Sequence, residues 1–309
     1  MRIVVVGAGA IGSLFGALLQ RAGHDVTLVG RPEHVAAINR DGLTIEGRTT
    51  GTFSVRALSE LPAGLETDLG LLTVKTFDLE SAASVFGRTV RTPVPVVALE
   101  NGLGVEATVE VALRSAGWSD PGQWIVRGIN SVPATFARPG TVRHAGDGEV
   151  LLADYGAGRH ADAVAQIFRA AGIPVRVDQD REREVWRKVL VNAAINPVTA
   201  LHQIPNGRLR ESPYREEATG LLREAQRAAA ADGFEFSDAE ADEAFERVVR
   251  ATAENRSSML QDRDRGRPTE VDAISGEIVR RARAHGVDLP RTRAVVERLA
   301  ARPSRTEAT

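Results

Sequence analysis

Gly7-Ala8-Gly9-Ala10-Ile11-Gly12 is the feature that most constrains this chain. It follows an apolar, β-branched run, Arg2–Val6, and opens a stretch of helical spacing, Ala10–Ala22, that Gly23 is placed to end. A strand, a glycine-rich turn and a helix in that order fit a dinucleotide-binding βαβ unit. Gly7 permits the tight turn, Gly9 lets backbone approach a pyrophosphate, and Gly12 lets the helix lie close on the sheet. The helix N-terminus then faces the phosphate charge. The same residues also suit an ordinary strand–turn–helix with incidental glycines, but the flanking context favours the nucleotide reading.

The end of the second expected strand, Asp25–Val29, bears on which nucleotide. An NAD site commonly places Asp or Glu there for the ribose hydroxyls, whereas this chain reads Val29-Gly30-Arg31. A small residue followed by arginine leaves room for a 2′-phosphate and supplies a bidentate cation, so NADP (as NADPH) is the expected cofactor. The alternative is that Arg31 is a solvated loop residue and Glu33 serves the ribose.

Strand and helix signals alternate through residue 178. After Arg2–Val6 and Asp25–Val29 come a helix at Pro32–Arg40, a hairpin-type excursion at Leu43–Glu46 and Phe53–Ala57, and buried strands at Leu69–Val74 and Val94–Leu99. Further β signal lies at Trp124–Ser131, Thr141–Asp154 and Ile173–Val177. This alternation predicts an α/β, Rossmann-type, largely parallel sheet with helices on both faces. Beyond Asp178 only helical segments are expected, at Arg181–Gln203, Pro213–Asp232, Asp238–Gln261, Thr269–His285 and Pro290–Ala301. The expected organisation is a nucleotide domain at 1–178, an all-helical domain at 179–303 and a short flexible tail at 304–309. A length of 309 residues suits two domains.

Composition narrows the function. Basic and acidic residues nearly cancel, 39 against 41, so no overall field favours nucleic acid or an anionic membrane. With no cysteine there is neither thiolate chemistry nor cysteine-bound zinc, and no histidine pair has ligand spacing, so no metal is expected. Met1–Val6 is too short for a secretory signal and no run is long enough to span a membrane, so a cytoplasmic protein acting on a small molecule is expected. A homodimer is left open as its assembly.

Lys188, Asn192 and Asn196 recur every fourth residue within an otherwise apolar stretch, Val189-Leu190-Val191 and Ala193-Ala194-Ile195. A helix apolar on most sides is buried, and its polar stripe must face something polar. An ammonium and two amides make a donor set for a 2-oxo acid; a self-satisfying helix–helix contact explains the spacing equally well. Asn255, Ser257, Ser258 and Glu270 are weaker candidates that a polar surface helix would also account for. Lys75 and Asn101 follow the strands Leu69–Val74 and Val94–Leu99, at carboxyl ends where open α/β sheets bind ligands. Either is also compatible with a solvated loop or turn.

Together these residues resemble the ketopantoate reductase (2-dehydropantoate 2-reductase) family. The likeness runs through Gly7–Gly12, Arg31, Val74-Lys75, Glu100-Asn101-Gly102-Leu103-Gly104, Trp186-Arg187-Lys188, Asn192, Asn196-Pro197 and Pro205-Asn206-Gly207. It ends with Asn255-Arg256-Ser257-Ser258-Met259-Leu260-Gln261-Asp262 and Thr269-Glu270-Val271-Asp272, the most specific block. The resemblance implies NADPH-dependent reduction of 2-dehydropantoate to pantoate by hydride transfer to the C2 ketone, a step of pantothenate biosynthesis. It also implies a C-terminal domain like that of 6-phosphogluconate dehydrogenase. Lys188 is then the general acid; Asn192, Asn196, Asn206 and Ser258 contact substrate with Asn255 beside them; and Asn101 touches substrate and cofactor. Glu270 lies near the nicotinamide, Ala134 along the cofactor, and Lys75 near the reacting carbonyl. The chain departs from the family's usual pattern at Asn130-Ser131-Val132, in place of Thr-Thr-His, and at Glu100. A reductase of another small 2-oxo acid therefore stays open. A non-catalytic NADP sensor could dispense with the lysine–asparagine stripe, which this chain retains.

Overall fold

The computed structural model describes residues 1–300. The last expected helical residues and the expected tail at 304–309 lie outside the described residues. Two compact units account for the chain: Met1–Glu100 with Gly104–Arg181, and Asn101–Leu103 with the residues from Glu182.

In the first unit β1 (Arg2–Val6), α1 (Ala10–Arg21), β2 (Asp25–Val29) and α2 (Pro32–Asp41) follow in order. Next come β3 (Leu43–Gly47), β4 (Gly51–Phe53), β5 (Arg56–Leu58), β6 (Leu69–Leu72), α3 (Leu79–Thr89), β7 (Val96–Ala98) and α4 (Val105–Ser115). The unit closes with β8 (Ile125–Asn130), β9 (Ala134–Arg138), β10 (Thr141–His144), β11 (Val150–Asp154), α5 (Ala161–Ala170) and β12 (Val175–Val177). The main sheet has the order β12-β11-β8-β7-β6-β1-β2-β5. Every pairing in it is parallel except β8 with β11.

Alternation along each strand sorts the core into two layers. Ile3 and Val5 pack with Leu14, Phe15 and Leu18 of α1 and Phe168 of α5 on one face. Val4 and Val6 pack with Leu79 and Phe86 of α3 and Val109 and Leu113 of α4 on the other. β1 is thus buried on both sides, which is why it carries almost nothing but valine and isoleucine. Residues Val6, Val29, Leu72 and Ala98 end parallel strands at a common edge.

In the first unit two sequence expectations need correcting. Phe53–Ala57 is not one strand: β4 pairs antiparallel with β3, whereas β5 leaves for the main sheet and runs parallel to β2. Thr141–Asp154 likewise divides. β10 joins a second, four-stranded sheet of order β4-β3-β10-β9, and β11 joins the main sheet. The glycines in Ala145-Gly146-Asp147-Gly148 make the break, since a Cβ at Gly148 would lie 2.4 Å from the Ser131 carbonyl oxygen.

The second unit is helical: α6 (Arg181–His202, whose first residue belongs to the first unit), α7 (Tyr214–Ala231), α8 (Asp238–Ala251) and α9 (Ser258–Asp264). It continues through a π-helical turn (Asp272–Gly276) into α10 (Glu277–Ala284) and then α11 (Pro290–Ala300). The expected single helix Asp238–Gln261 is in fact α8 and α9 separated by a turn. α8 starts with a capping box, Ser237 with Glu240, and α9 starts at Ser257, whose hydroxyl accepts from the Leu260 N–H. Buried Glu224 of α7 accepts from the Arg291 and Thr292 N–H groups and the Thr292 hydroxyl, capping the start of α11. Among the described residues no helix is long and apolar enough to cross a membrane, and no cluster of His, Cys, Asp or Glu could hold a metal.

Candidate active site

The glycine turn of the first unit is built by steric necessity at two positions and by something else at the third. Gly7 has φ +109°, and a Cβ there would lie 2.7 Å from the Thr73 carbonyl carbon and the Val74 nitrogen. At Gly12 a Cβ would meet the Gly7 carbonyl oxygen at 2.2 Å. The Val29 carbonyl accepts from both Gly7 and Ala8 N–H groups, and the Thr73 hydroxyl donates to the Gly7 carbonyl at 2.7 Å. At Gly9, by contrast, a Cβ would have no protein atom nearer than 3.9 Å. Nothing in the described chain demands glycine there. Gly9 heads α1 with no side-chain cap, leaving the first-turn N–H groups of Ala10 and Ile11 to an outside partner. These residues fit a dinucleotide pyrophosphate. Gly30, which follows β2, packs against the motif: a Cβ on it would be 2.7 Å from the Ala8 Cβ.

Arg31 is exposed at the head of α2, and Glu33 is exposed in that helix's first turn. Next to them lies a residue that sequence reading missed. His34 is 2 % exposed; its Nδ1 accepts from the Gly140 N–H at 2.9 Å, and its Nε2 is 3.0 Å from the Ser13 hydroxyl. The Gly140 bond fixes the proton on Nε2. Burial first, and the Arg31 charge second, push its pKa down to about 4. His34 thereby ties α1, α2 and the β9–β10 turn together. Its only sequence signal is a histidine on the apolar side of an amphipathic helix.

Lys75, half-buried, follows β6, and its carbonyl accepts from the Asp78 N–H. Glu100, one of the departures noted above, is 4 % exposed and accepts from the Val74 N–H at 3.1 Å, so it holds the corner that presents Lys75. Ala134, half-buried, opens β9 and pairs with His144.

In the second unit α6 carries Lys188 and Asn192, both half-buried, and Asn196, which is buried. Thr199 and Ser257 hydroxyls stand 2.7 Å apart and link α6 to the α9 cap. Ser257 is buried, whereas Ser258, the expected contact, is exposed. Asn101–Leu103 clusters with this unit although it follows β7. Gly102 has φ +106°, and a Cβ would lie 2.8 Å from the Ala273 carbonyl oxygen in the π-helical turn. Buried Glu270 lies at the start of that turn, its carbonyl accepting from the Ile274 N–H.

Asn206 and Asn255 meet at the turn between α8 and α9. The Asn206 N–H donates to the Asn255 carbonyl and the Gly207 N–H to that of Ala253, both at 2.9 Å. The Asn206 amide nitrogen donates to the Thr252 hydroxyl at 2.9 Å, while its buried Oδ1 has no hydrogen-bond partner among the described residues. A buried acceptor without a donor is costly in a folded protein and calls for one from a water or a ligand. The second unit thus combines an ammonium and two amides with one acceptor in need of a donor.

Lys75 and Lys188 are the only two lysines in the chain, among 39 basic residues, the rest being arginine.

The chain matches the family model described as "Ketopantoate reductase PanE/ApbA" over residues 3–157 and its C-terminal counterpart over 180–302. It is 36% identical to a 2-dehydropantoate 2-reductase of Halobacterium salinarum over 98% of this chain and 99% of that one. A Pyrococcus horikoshii protein of the same name is 35% identical over 94% of this chain and 93% of its own length. Among solved structures it is similar to a PanE/ApbA family ketopantoate reductase from Ralstonia eutropha JMP134, with TM-score 0.86 and 33% identity over 97% of each chain. A ternary structure of D-mandelate dehydrogenase with NADH and anilino(oxo)acetate superposes with TM-score 0.89 at 26% identity over 98% of each chain.

Proposed function

Because the chain belongs to the ketopantoate reductase family, a family of oxidoreductases, we propose that it reduces 2-dehydropantoate to pantoate with NADPH. The observation that carries this reading is the polar set of the helical unit, with Lys188, Asn192 and Asn196 on α6 and the unpartnered Oδ1 of Asn206. A 2-oxo acid offers acceptors at its ketone and carboxylate, and a hydroxylated one also brings the donor that Asn206 lacks.

In this reading Gly7–Gly12, Arg31, Lys75, Asn101, Ala134 and Glu270 hold the cofactor, whose reduced nicotinamide supplies hydride to the C2 carbon. Lys188 holds the ketone oxygen by an ammonium hydrogen bond that strengthens as alkoxide charge develops, and gives it the proton. Asn192, Asn196 and Ser258 orient carboxylate and hydroxyl, with Asn255 bracing Asn206. Arg31 takes the 2′-phosphate, favouring NADPH over NADH.

A second reading has a specific support: the structural neighbour described with NADH and anilino(oxo)acetate is a dehydrogenase of a different 2-hydroxy acid. Steady-state oxidation of NADPH and NADH with 2-dehydropantoate and a panel of unhydroxylated 2-oxo acids separates the two. Higher kcat/KM for 2-dehydropantoate with NADPH is expected; preference for an unhydroxylated 2-oxo acid, or for NADH, would overturn the corresponding half of the proposal.

A further inference from the structure

We infer that Thr252 is a specificity-determining positioning residue: it sets the orientation of the Asn206 amide, and so decides that the site asks its substrate for a hydroxyl donor. The inference rests on the proposed reduction of a hydroxylated 2-oxo acid and names what selects that hydroxyl.

The orientation of an asparagine amide follows from what its two ends can bond. Thr252 ends α8, and its hydroxyl donates to the Val248 carbonyl, one turn back, at 2.7 Å. With its proton so placed, the Thr252 oxygen is left as an acceptor, and the Asn206 amide can use it only through Nδ2, at 2.9 Å. Oδ1 is then the end turned away, buried and without a partner among the described residues. Rotating the amide would require the Thr252 hydroxyl to abandon Val248. The backbone gives no such choice, because the Asn206 and Gly207 N–H groups are both held by the 253–255 turn. The outward group is therefore an acceptor by construction. A hydroxyl satisfies it, whereas a fluorine of similar size, which donates nothing, leaves it buried and unpaired.

The test compares 2-dehydropantoate with its 4-fluoro analogue, in which fluorine replaces the hydroxyl, using kcat/KM with NADPH. In the wild type the hydroxyl compound is preferred on the order of a hundredfold. Thr252→Val removes the acceptor and frees the amide to turn, so the preference falls roughly tenfold, while Thr252→Ser keeps it. In an Asn206→Ala background Thr252→Val changes the preference no further, because the two residues act as one unit. That last comparison also separates the role from loss of folding, since it reads a ratio rather than a rate.

An unchanged preference in Thr252→Val, or an equal fall in the Asn206→Ala background, overturns the inference and leaves the reductase reading standing. A wild type that ignores both compounds, or does not distinguish them, overturns the reading of a hydroxylated substrate and this inference with it.

Discussion

At the scale of single residues, the two lysines are the most telling. A guanidinium outperforms an ammonium at holding carboxylates and phosphates, and it does not give up its proton in proteins. The chain uses arginine everywhere a fixed cation suffices, yet keeps lysine at 75 and 188. That favours a role for Lys188 in which the proton leaves. Lys188→Arg, which preserves charge, is expected to lower kcat by about 10²–10⁴ while the NADPH dissociation constant, measured by nucleotide fluorescence titration, stays within a few-fold. Near-normal turnover in the arginine variant would reduce Lys188 to an electrostatic anchor. The polar stripe was readable from i, i+4 spacing. The orphaned Oδ1 of Asn206 was not, since it depends on where the Thr252 proton goes.

At the scale of elements, β1 and β2 begin and end where sequence patterning placed them, because apolar strands flanked by glycine have little freedom. The interruption of Asp238–Gln261 was hidden. Asn255, Ser257 and Ser258 read as part of one continuous helical stretch, and only tertiary bonds reveal the turn that ends α8 at Thr252 and the Ser257 cap that starts α9. The second sheet was illegible for a related reason: β3 and β10 pair in parallel across almost a hundred residues, which local pattern cannot specify. Asn101–Leu103 shows the same limit, since its neighbours include a π-helical turn more than 160 residues away. Such turns concentrate at functional sites. Gly102→Ala meets both a left-handed φ and a backbone carbonyl at 2.8 Å. It is expected to cost roughly 1–3 kcal/mol in thermal or urea unfolding and to raise KM through displaced Asn101. A variant with wild-type stability and KM would show that the loop and the turn yield without consequence.

For the molecule as a whole, three histidines of the first unit, His34 buried and His24 and His144 half-buried, are expected to weaken the fold in acid. His24, His34 and His144 all have lowered pKa values, with burial the leading cause in each. For His34 the folded value is about 4 against an ordinary 6.5. Between those two values the unfolded chain binds the proton and the folded chain does not, so stability rises with pH across that window. The contribution is fully present above pH 6.5 and is lost as the pH falls toward 4. Its size is about 3 kcal/mol for a shift of this extent. Protonation forces the issue structurally, because an Nδ1–H cannot accept from Gly140, and the joint between α1, α2 and the β9–β10 turn comes apart. Urea midpoints measured from pH 7.5 to 4.5 should therefore decline below pH 6.5. His34→Gln, which can still accept from Gly140 and donate to Ser13 without titrating, should flatten the decline even if it lowers stability at neutral pH. An identical slope in wild type and variant would place the acid sensitivity elsewhere, and His34 would then be a packing residue with no part in the pH response.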